Sequence, residues 1–275
     1  MKQLKKVLVI LAAAVSLFVA AGCSNLTKEA NTKDTWSRIQ RRKSVIIGLD
    51  DTFVTMDFRQ KDGKLVGYDV DLAKAVLKEL GLRADFQTID WSMKETELRN
   101  GTIDVLWNGY SVTSQRKKKV NFSKAYLRNR QVLVVKKASG IKSFKQMTGK
   151  VVGAQSGSTA EIWLDGKQQS LKAKSKVLYD TIPSAFLDLN AGRIQGILLD
   201  ETYADYYIKH EADSSSYQVI INKGVPEDLF AVGMRKGDKT LQKKINWALK
   251  RLQQNGKLRQ INQKWFGTNS NYLQK

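Results

Sequence analysis

Apolar residues along the chain recur with two periods. Short β-branched or apolar runs, of strand length, fall at 44–49, 84–89, 103–107, 131–135, 151–154, 194–199 and 217–221. Between them the spacing becomes helical. Leu72, Ala73, Val76, Leu77 and Leu80 form one stripe, which predicts a helix capped by Asp69 and stopped at Gly81. Shorter helices are predicted over 94–100, closed by Gly101, and over 185–191, with Pro183 in the first turn and Gly192 at the end. Ser158 with Glu161 three residues on is a capping-box pattern and predicts a helix start. Leu241, Ile245, Ala248, Leu249 and Leu252 line one face of a longer helix near the C-terminus. A last helix ends at Lys264-Trp265-Phe266-Gly267, whose aromatics are expected to pack onto the first part of the fold. Strands alternating with helices predict an α/β protein with largely parallel sheets.

The pattern repeats itself faintly. Leu98-Arg99-Asn100-Gly101-Thr102-Ile103 is matched by Leu189-Asn190-Ala191-Gly192-Arg193-Ile194, and Val45-Ile46-Ile47-Gly48 by Lys150-Val151-Val152-Gly153. Both suggest two lobes of like construction, with ligand-facing loops at their strand ends.

Composition narrows the function classes. There is one histidine, His210, and one cysteine, Cys23. A disulfide framework and a Cys/His zinc cluster are therefore excluded, and no metal or cofactor is expected. The net charge is +21, or +18 once Lys2, Lys5 and Lys6 are set aside. The cations are scattered over most segments, which reads as a solvated basic surface, and no nucleic-acid partner is expected. Those three lysines precede an uncharged, largely apolar run over 7–21, too short for a confident membrane span. The run ends in Ala20-Ala21-Gly22-Cys23. Basic, apolar, then small residues make a secretory signal. The sole cysteine at its cut site resembles a lipoprotein box, with Ala20 where leucine is usual. Residues 1–22 are thus read as signal peptide, Cys23 as the lipidated first residue, and 23–43 as a solvated tether.

Candidate chemistry centres on Ile103 to Arg116. An apolar strand breaks at Asn108-Gly109, passes Ser111 and reaches a single forked guanidinium, a combination suited to a carboxylate. The helix start at Ser158-Thr159 offers unpaired N–H groups to the same anion. Asp200, at a strand end, can accept an ammonium group. Asp50 or Asp51, at the end of the first strand, can meet polar or cationic groups, and Phe53 and Trp91 can sandwich aliphatic ones. Each has a plainer reading too: Arg116 within a basic surface run, Asp200 and Ser158 as helix caps. Together they describe a pocket for a zwitterion with a polar side chain.

At this point the chain resembles bacterial extracellular solute-binding proteins of the polar-amino-acid type, the receptor subunits of ABC importers. The matching residues include Gly48-Leu49-Asp50, Lys64 to Ala73, Asn100 to Asp104, Ser111-Val112-Thr113 with Arg116, Asn121-Phe122-Ser123, Gly157-Ser158-Thr159, Gly192-Arg193-Ile194 and Lys264 to Gly267. The resemblance implies two α/β lobes joined by a two-strand hinge: 44–131 with 225–275 as lobe 1, and 132–224 as lobe 2. It implies a monomer, anchored outside the cell membrane and delivering its ligand to permease subunits, with no enzymatic activity. It also implies that Arg116, the Ser111 backbone, Ser158 and Thr159 hold the α-carboxylate. Asp200 and a carbonyl near Gly109 hold the α-ammonium, Phe53 and Trp91 flank the side chain, and Asp50 meets its end. Thr55 and Trp107-Asn108 depart from the usual pattern. Asn108 is expected to reach the ligand and, with Trp107, to help set which amino acid is taken. Asp50 favours arginine or lysine, with cystine or glutamine as further candidates.

Two rivals carry less. Ser114-Gln115-Arg116-Lys117 fits the Ser-x-x-Lys acylation motif, but Ser139 to Lys142 fits it too and no Lys-Thr-Gly or Ser-Asp-Asn partner exists. The charge alone would suit an exported adhesin or polyanion-binding protein.

Overall fold

A computed structural model describes residues 32–166, 171–210, 214–222 and 224–267. The expected signal segment and Cys23 lie outside the described residues. Two five-stranded sheets organise the rest. The first runs, in spatial order, Arg83–Thr88, Ser44–Leu49, Val105–Leu106, Gly233–Met234, Asn121–Phe122. The second runs Ser175–Tyr179, Val151–Gln155, Gly196–Asp200, Gln131–Lys136, Tyr217–Ile220. In each, the first three strands are parallel and the other two are antiparallel to their neighbours. The fold is a two-lobed α/β architecture. Leu127–Asn129 and Asp228–Phe230 pair antiparallel, one just before the chain enters the second sheet and one just before it rejoins the first. They form the two-strand hinge.

The internal echo has a packing cause. A Cβ on Gly48 would lie 2.4 Å from Ile103 Cδ1, and one on Gly153 would lie 2.7 Å from Ile194 Cδ1. In each lobe the leading strand needs a glycine because the isoleucine after the helix-ending glycine fills that space. The repeated motifs are the two halves of one contact, built twice.

The helix Tyr68–Glu79 buries Leu72, Ala73, Val76 and Leu77 as its periodicity requires. Its cap differs from expectation. Gly67 occupies the cap position, and Asp69 is fully buried in the first turn. The Asp69 carboxylate instead accepts the Gly109 N–H at 2.7 Å and the Tyr126 hydroxyl at 2.8 Å, so it fixes the loop that carries the candidate site. At the C-terminus the aromatics pack as expected. Trp265 Nε1 donates to Asp71 at 2.8 Å, and Phe266 lies 5.0 Å from Tyr68.

The segment read as a tether is partly folded. Trp36–Arg42 is helical, with Ile39 fully buried. Arg38 and Arg42 both pair with Asp104, which also accepts the Ile46 N–H and Arg235. Asp104 is itself fully buried, so its charge is tolerable only with these partners. Polar composition hides the helix because two of its three arginines serve a buried acid.

Candidate functional site

Phe53, Trp91, Asn108, Gly109, Arg116, Gln155, Ser158, Thr159 and Asp200 line one narrow cleft. Phe53 to Arg116 come from lobe 1, and Gln155 to Asp200 from the second sheet and its helix.

Arg116 is buried in the short helix Ser114–Lys119, whose cap Thr113 accepts the Arg116 N–H. The guanidinium carbon stands 4.4 Å from the centre of the Tyr110 ring. Nη1 donates to the Ser111 carbonyl and to Thr159 Oγ1, and Nη2 donates to the Gly157 carbonyl, each at 3.1 Å. A guanidinium has five N–H groups. One on Nη2 and the one on Nε make no hydrogen bond; Nε is buried, with Glu95 Oε1 3.9 Å away as its ion-pair partner. A buried N–H without a hydrogen bond is costly, so the open position on Nη2 suits an anion.

Asp200 ends its strand and is 9% exposed. One of its oxygens, Oδ1, accepts from Asn129 Nδ2 at 2.6 Å and from Gln131 Nε2 at 2.7 Å. Burial, and then the charge of Asp228, push its carboxyl up to about 7. A cation placed against it would reverse both effects.

Ser158 caps the helix Thr159–Asp165 through its hydroxyl, as the capping pattern predicts. Glu161 reaches back to the Gly157 N–H at 2.6 Å, one residue earlier than in the standard box. Ser111 is buried behind Arg116, with its carbonyl engaged there and its backbone bridged to Phe230.

Asp50 stands behind Gln155. Its Oδ1 accepts both the N–H and the hydroxyl of Thr52, and its Oδ2 accepts Gln155 Nε2 at 2.6 Å. Burial raises its carboxyl above the usual range. Asn108 lines the cleft, but its amide is already engaged. It accepts the Asp50 N–H, and donates to the Asp50 carbonyl and to buried Asp57 at 2.7 Å. Trp107 points the other way into the core, 6.3 Å from Tyr126. Adjacent residues on an extended backbone face opposite sides, so these two cannot both meet a ligand.

Two residues escape sequence reasoning. Gln155 crosses the cleft to Asp50 and also donates to the Asp180 carbonyl at 2.9 Å. Its signal was available: extended by two residues, the echo of the first strands sets Gln155 opposite Asp50. Lys94 is 2% exposed, and its Nζ donates to the Trp91 carbonyl at 3.0 Å and the Gly157 carbonyl at 2.7 Å. Burial, and then the charge of Arg116, lower it to about 7. No spacing rule marks such a lysine.

Gly109 has φ +55°, and a Cβ there would lie 2.6 Å from the Phe53 ring. Gly109→Ala should destabilise the fold by about 1–3 kcal/mol through overpacking and left-handed strain. A denaturant titration giving wild-type stability would contradict this.

The sequence pattern of the bacterial extracellular solute-binding proteins, family 3, matches residues 45–268. The chain belongs to this family. This solute-binding protein is 32% identical over 233 residues to the L-cystine-binding protein TcyJ of Escherichia coli (strain K12), covering 84% of this chain and 85% of TcyJ. It is 32% identical over 266 residues to the arginine-binding extracellular protein ArtP of Bacillus subtilis (strain 168), covering 96% and 98%. Its fold superposes with a TM-score of 0.83 on an ABC uptake transporter substrate-binding protein from Streptococcus pneumoniae with bound histidine. That pair shares 46% identity and covers 88% of this chain and 99% of the other. Among the described residues no helix is long and apolar enough to cross a membrane.

Proposed function

We propose that the protein captures a polar L-amino acid outside the cell for an ABC importer, held to the membrane by lipid on Cys23 and delivering its ligand to the permease subunits as a monomer. The observation that carries this is the convergence of Arg116, with two N–H groups outside any hydrogen bond, and Asp200, a buried acid, on one small cleft between the lobes. A guanidinium and a carboxylate at opposite ends of a site match the two charges of a zwitterion. Arg116 and Thr159 take the α-carboxylate, and Asp200 takes the α-ammonium. The side chain passes between Phe53 and Trp91 towards Gln155 and Asp50. That end is rich in acceptors and suits nitrogen-bearing groups, with the buried Asp50 favouring arginine or lysine over cystine or glutamine. Asn108 acts on selectivity indirectly, by fixing the Asp50 backbone. No step of bond making is assigned to these residues.

A thermal-shift screen against the twenty amino acids and cystine tests the reading, since a ligand of the folded state raises its melting temperature. A polar amino acid should raise it by several degrees; no shift with any of them would contradict the proposal.

Acid should weaken binding. The ammonium needs Asp200 ionised, and without ligand that carboxyl holds its proton up to about 7. Affinity should fall by up to about tenfold per pH unit below 7. The same raised carboxyl stabilises the ligand-free fold in its protonated form, and this contribution is lost as pH rises from about 3.8 to about 7. The ligand-induced thermal shift should therefore be larger at pH 8 than at pH 5.5. Equal shifts at the two values would argue against Asp200 as the ammonium partner.

A further inference from the structure

Residues 239–266 carry eight lysines and arginines and no acidic side chain. In the helix Lys239–Gln254 the apolar face is buried. The outward face repeats at helical spacing: Lys243, Lys244, Trp247, Lys250 and Arg251, all exposed. Trp247 is 49% exposed at the centre of this stripe, and the Arg251 guanidinium, itself paired with Glu79 at 3.0 Å, lies 5.2 Å from its ring. A core or cleft role is closed to it. An exposed indole within a stripe of lysines on the outward face of an amphipathic helix is the pattern of a surface resting in the headgroup layer of an anionic membrane.

The start of the folded chain supports that occupant. The Asp34 carboxylate accepts the Thr240 N–H at 2.7 Å, and Thr35 donates its N–H and hydroxyl to Asp238, each at 2.8 Å. The chain from Cys23 thus enters the body at the N-terminal end of this same helix. Ten residues lie between Cys23 and Asp34, about eleven Cα steps with a reach of at most about 40 Å when extended.

We infer that the outward face of Lys239–Gln254 docks on an anionic phospholipid surface, with Trp247 at the headgroup level and the lysines over the phosphates. The membrane as occupant rests in part on the lipid-anchor reading above, but the stripe's affinity for lipid does not. The indole favours a membrane over a soluble polyanion, which has no apolar boundary to receive it. With lobe 1 held flat by this helix, the hinge would leave lobe 2 as the moving part.

The test uses the unlipidated chain from residue 24, since the described fold from residue 32 onward has its own cores. Sedimentation with vesicles of 30% phosphatidylglycerol in phosphatidylcholine should show binding that vanishes on pure phosphatidylcholine. Lys243→Gln, Lys244→Gln and Lys250→Gln together should weaken it about a hundredfold, from roughly fivefold per cation. Trp247→Ala should weaken it severalfold at unchanged charge. Removing three exposed lysines of lobe 2 (Lys137, Lys142 and Lys145, each to Gln) should change it little. Equal losses from both triple variants would overturn the inference in favour of diffuse charge. Binding to soluble polyphosphate but not to vesicles would overturn it in favour of a polyanion. Calorimetry with amino acids on the stripe variant checks the fold, and mass spectrometry of Cys23 tests the anchor separately.

Discussion

Arg116→Ala should weaken amino-acid binding by about 2–5 kcal/mol, roughly thirtyfold to several-thousandfold in Kd. The side chain serves two purposes at once. Its open N–H on Nη2 is available to an incoming carboxylate, and its three hydrogen bonds join Ser111 in lobe 1 to Gly157 and Thr159 in lobe 2. Truncation removes the ligand's anion partner and part of the contact that closes the lobes. Arg116→Lys keeps the charge but loses the fork, so its loss should be intermediate. Asp200→Ala should cost a similar amount to Arg116→Ala from the ammonium side. Calorimetry is the check: unchanged affinity in both alanine variants would remove these residues from the site.

Gly157→Ala should weaken binding by about 1–3 kcal/mol without touching any group that faces the ligand's charges. Gly157 is at φ +71°, and a Cβ there would lie 2.8 Å from Lys94 Nζ, 3.0 Å from Ser92 Cα and 3.2 Å from the Trp91 carbonyl oxygen. All three belong to lobe 1. The left-handed strain is present whether the lobes are apart or together, but the crowding exists only when they meet. Two buried cations, Lys94 and Arg116, converge on the Gly157 carbonyl, so this glycine lies at a close contact between the lobes. The alanine variant should keep most of its ligand-free melting temperature, lose affinity, and fail to contract in small-angle scattering when ligand is added. Contraction equal to that of the unmodified chain would show that closure does not need the glycine.

Long periodic segments were legible in the sequence because burial imposes their pattern. The strand Ser44–Leu49 lies where its β-branched run predicts. The helix through Leu72 and Val76 and the stripe from Leu241 to Leu252 follow their spacing as well. The strand Ser175–Tyr179 was not legible, because it is an edge strand exposed along most of its length and so lacks alternation. The hinge strands are three residues each, too short for any period. At the site, charges and strand ends were readable, and the sequence brings Arg116, Thr159 and Asp200 to the cleft where the structure has them. What could not be read was the spending of polar groups on one another. Asn108 looked free for a ligand and is committed to Asp50 and Asp57. Lys94, which begins the predicted helix over 94–100, is buried at the lobe contact.

The zwitterion clamp is tested most directly by titrating one wild-type preparation, in a calorimeter, with the best amino acid from the screen and with its decarboxylated amine. The amine keeps the side chain and the ammonium and lacks only the group assigned to Arg116. The amino acid should bind at one site per chain, and the amine at least about thirtyfold more weakly, the low end of losing one buried charge partner. Equal affinities, or no saturable binding of any amino acid, would contradict the clamp.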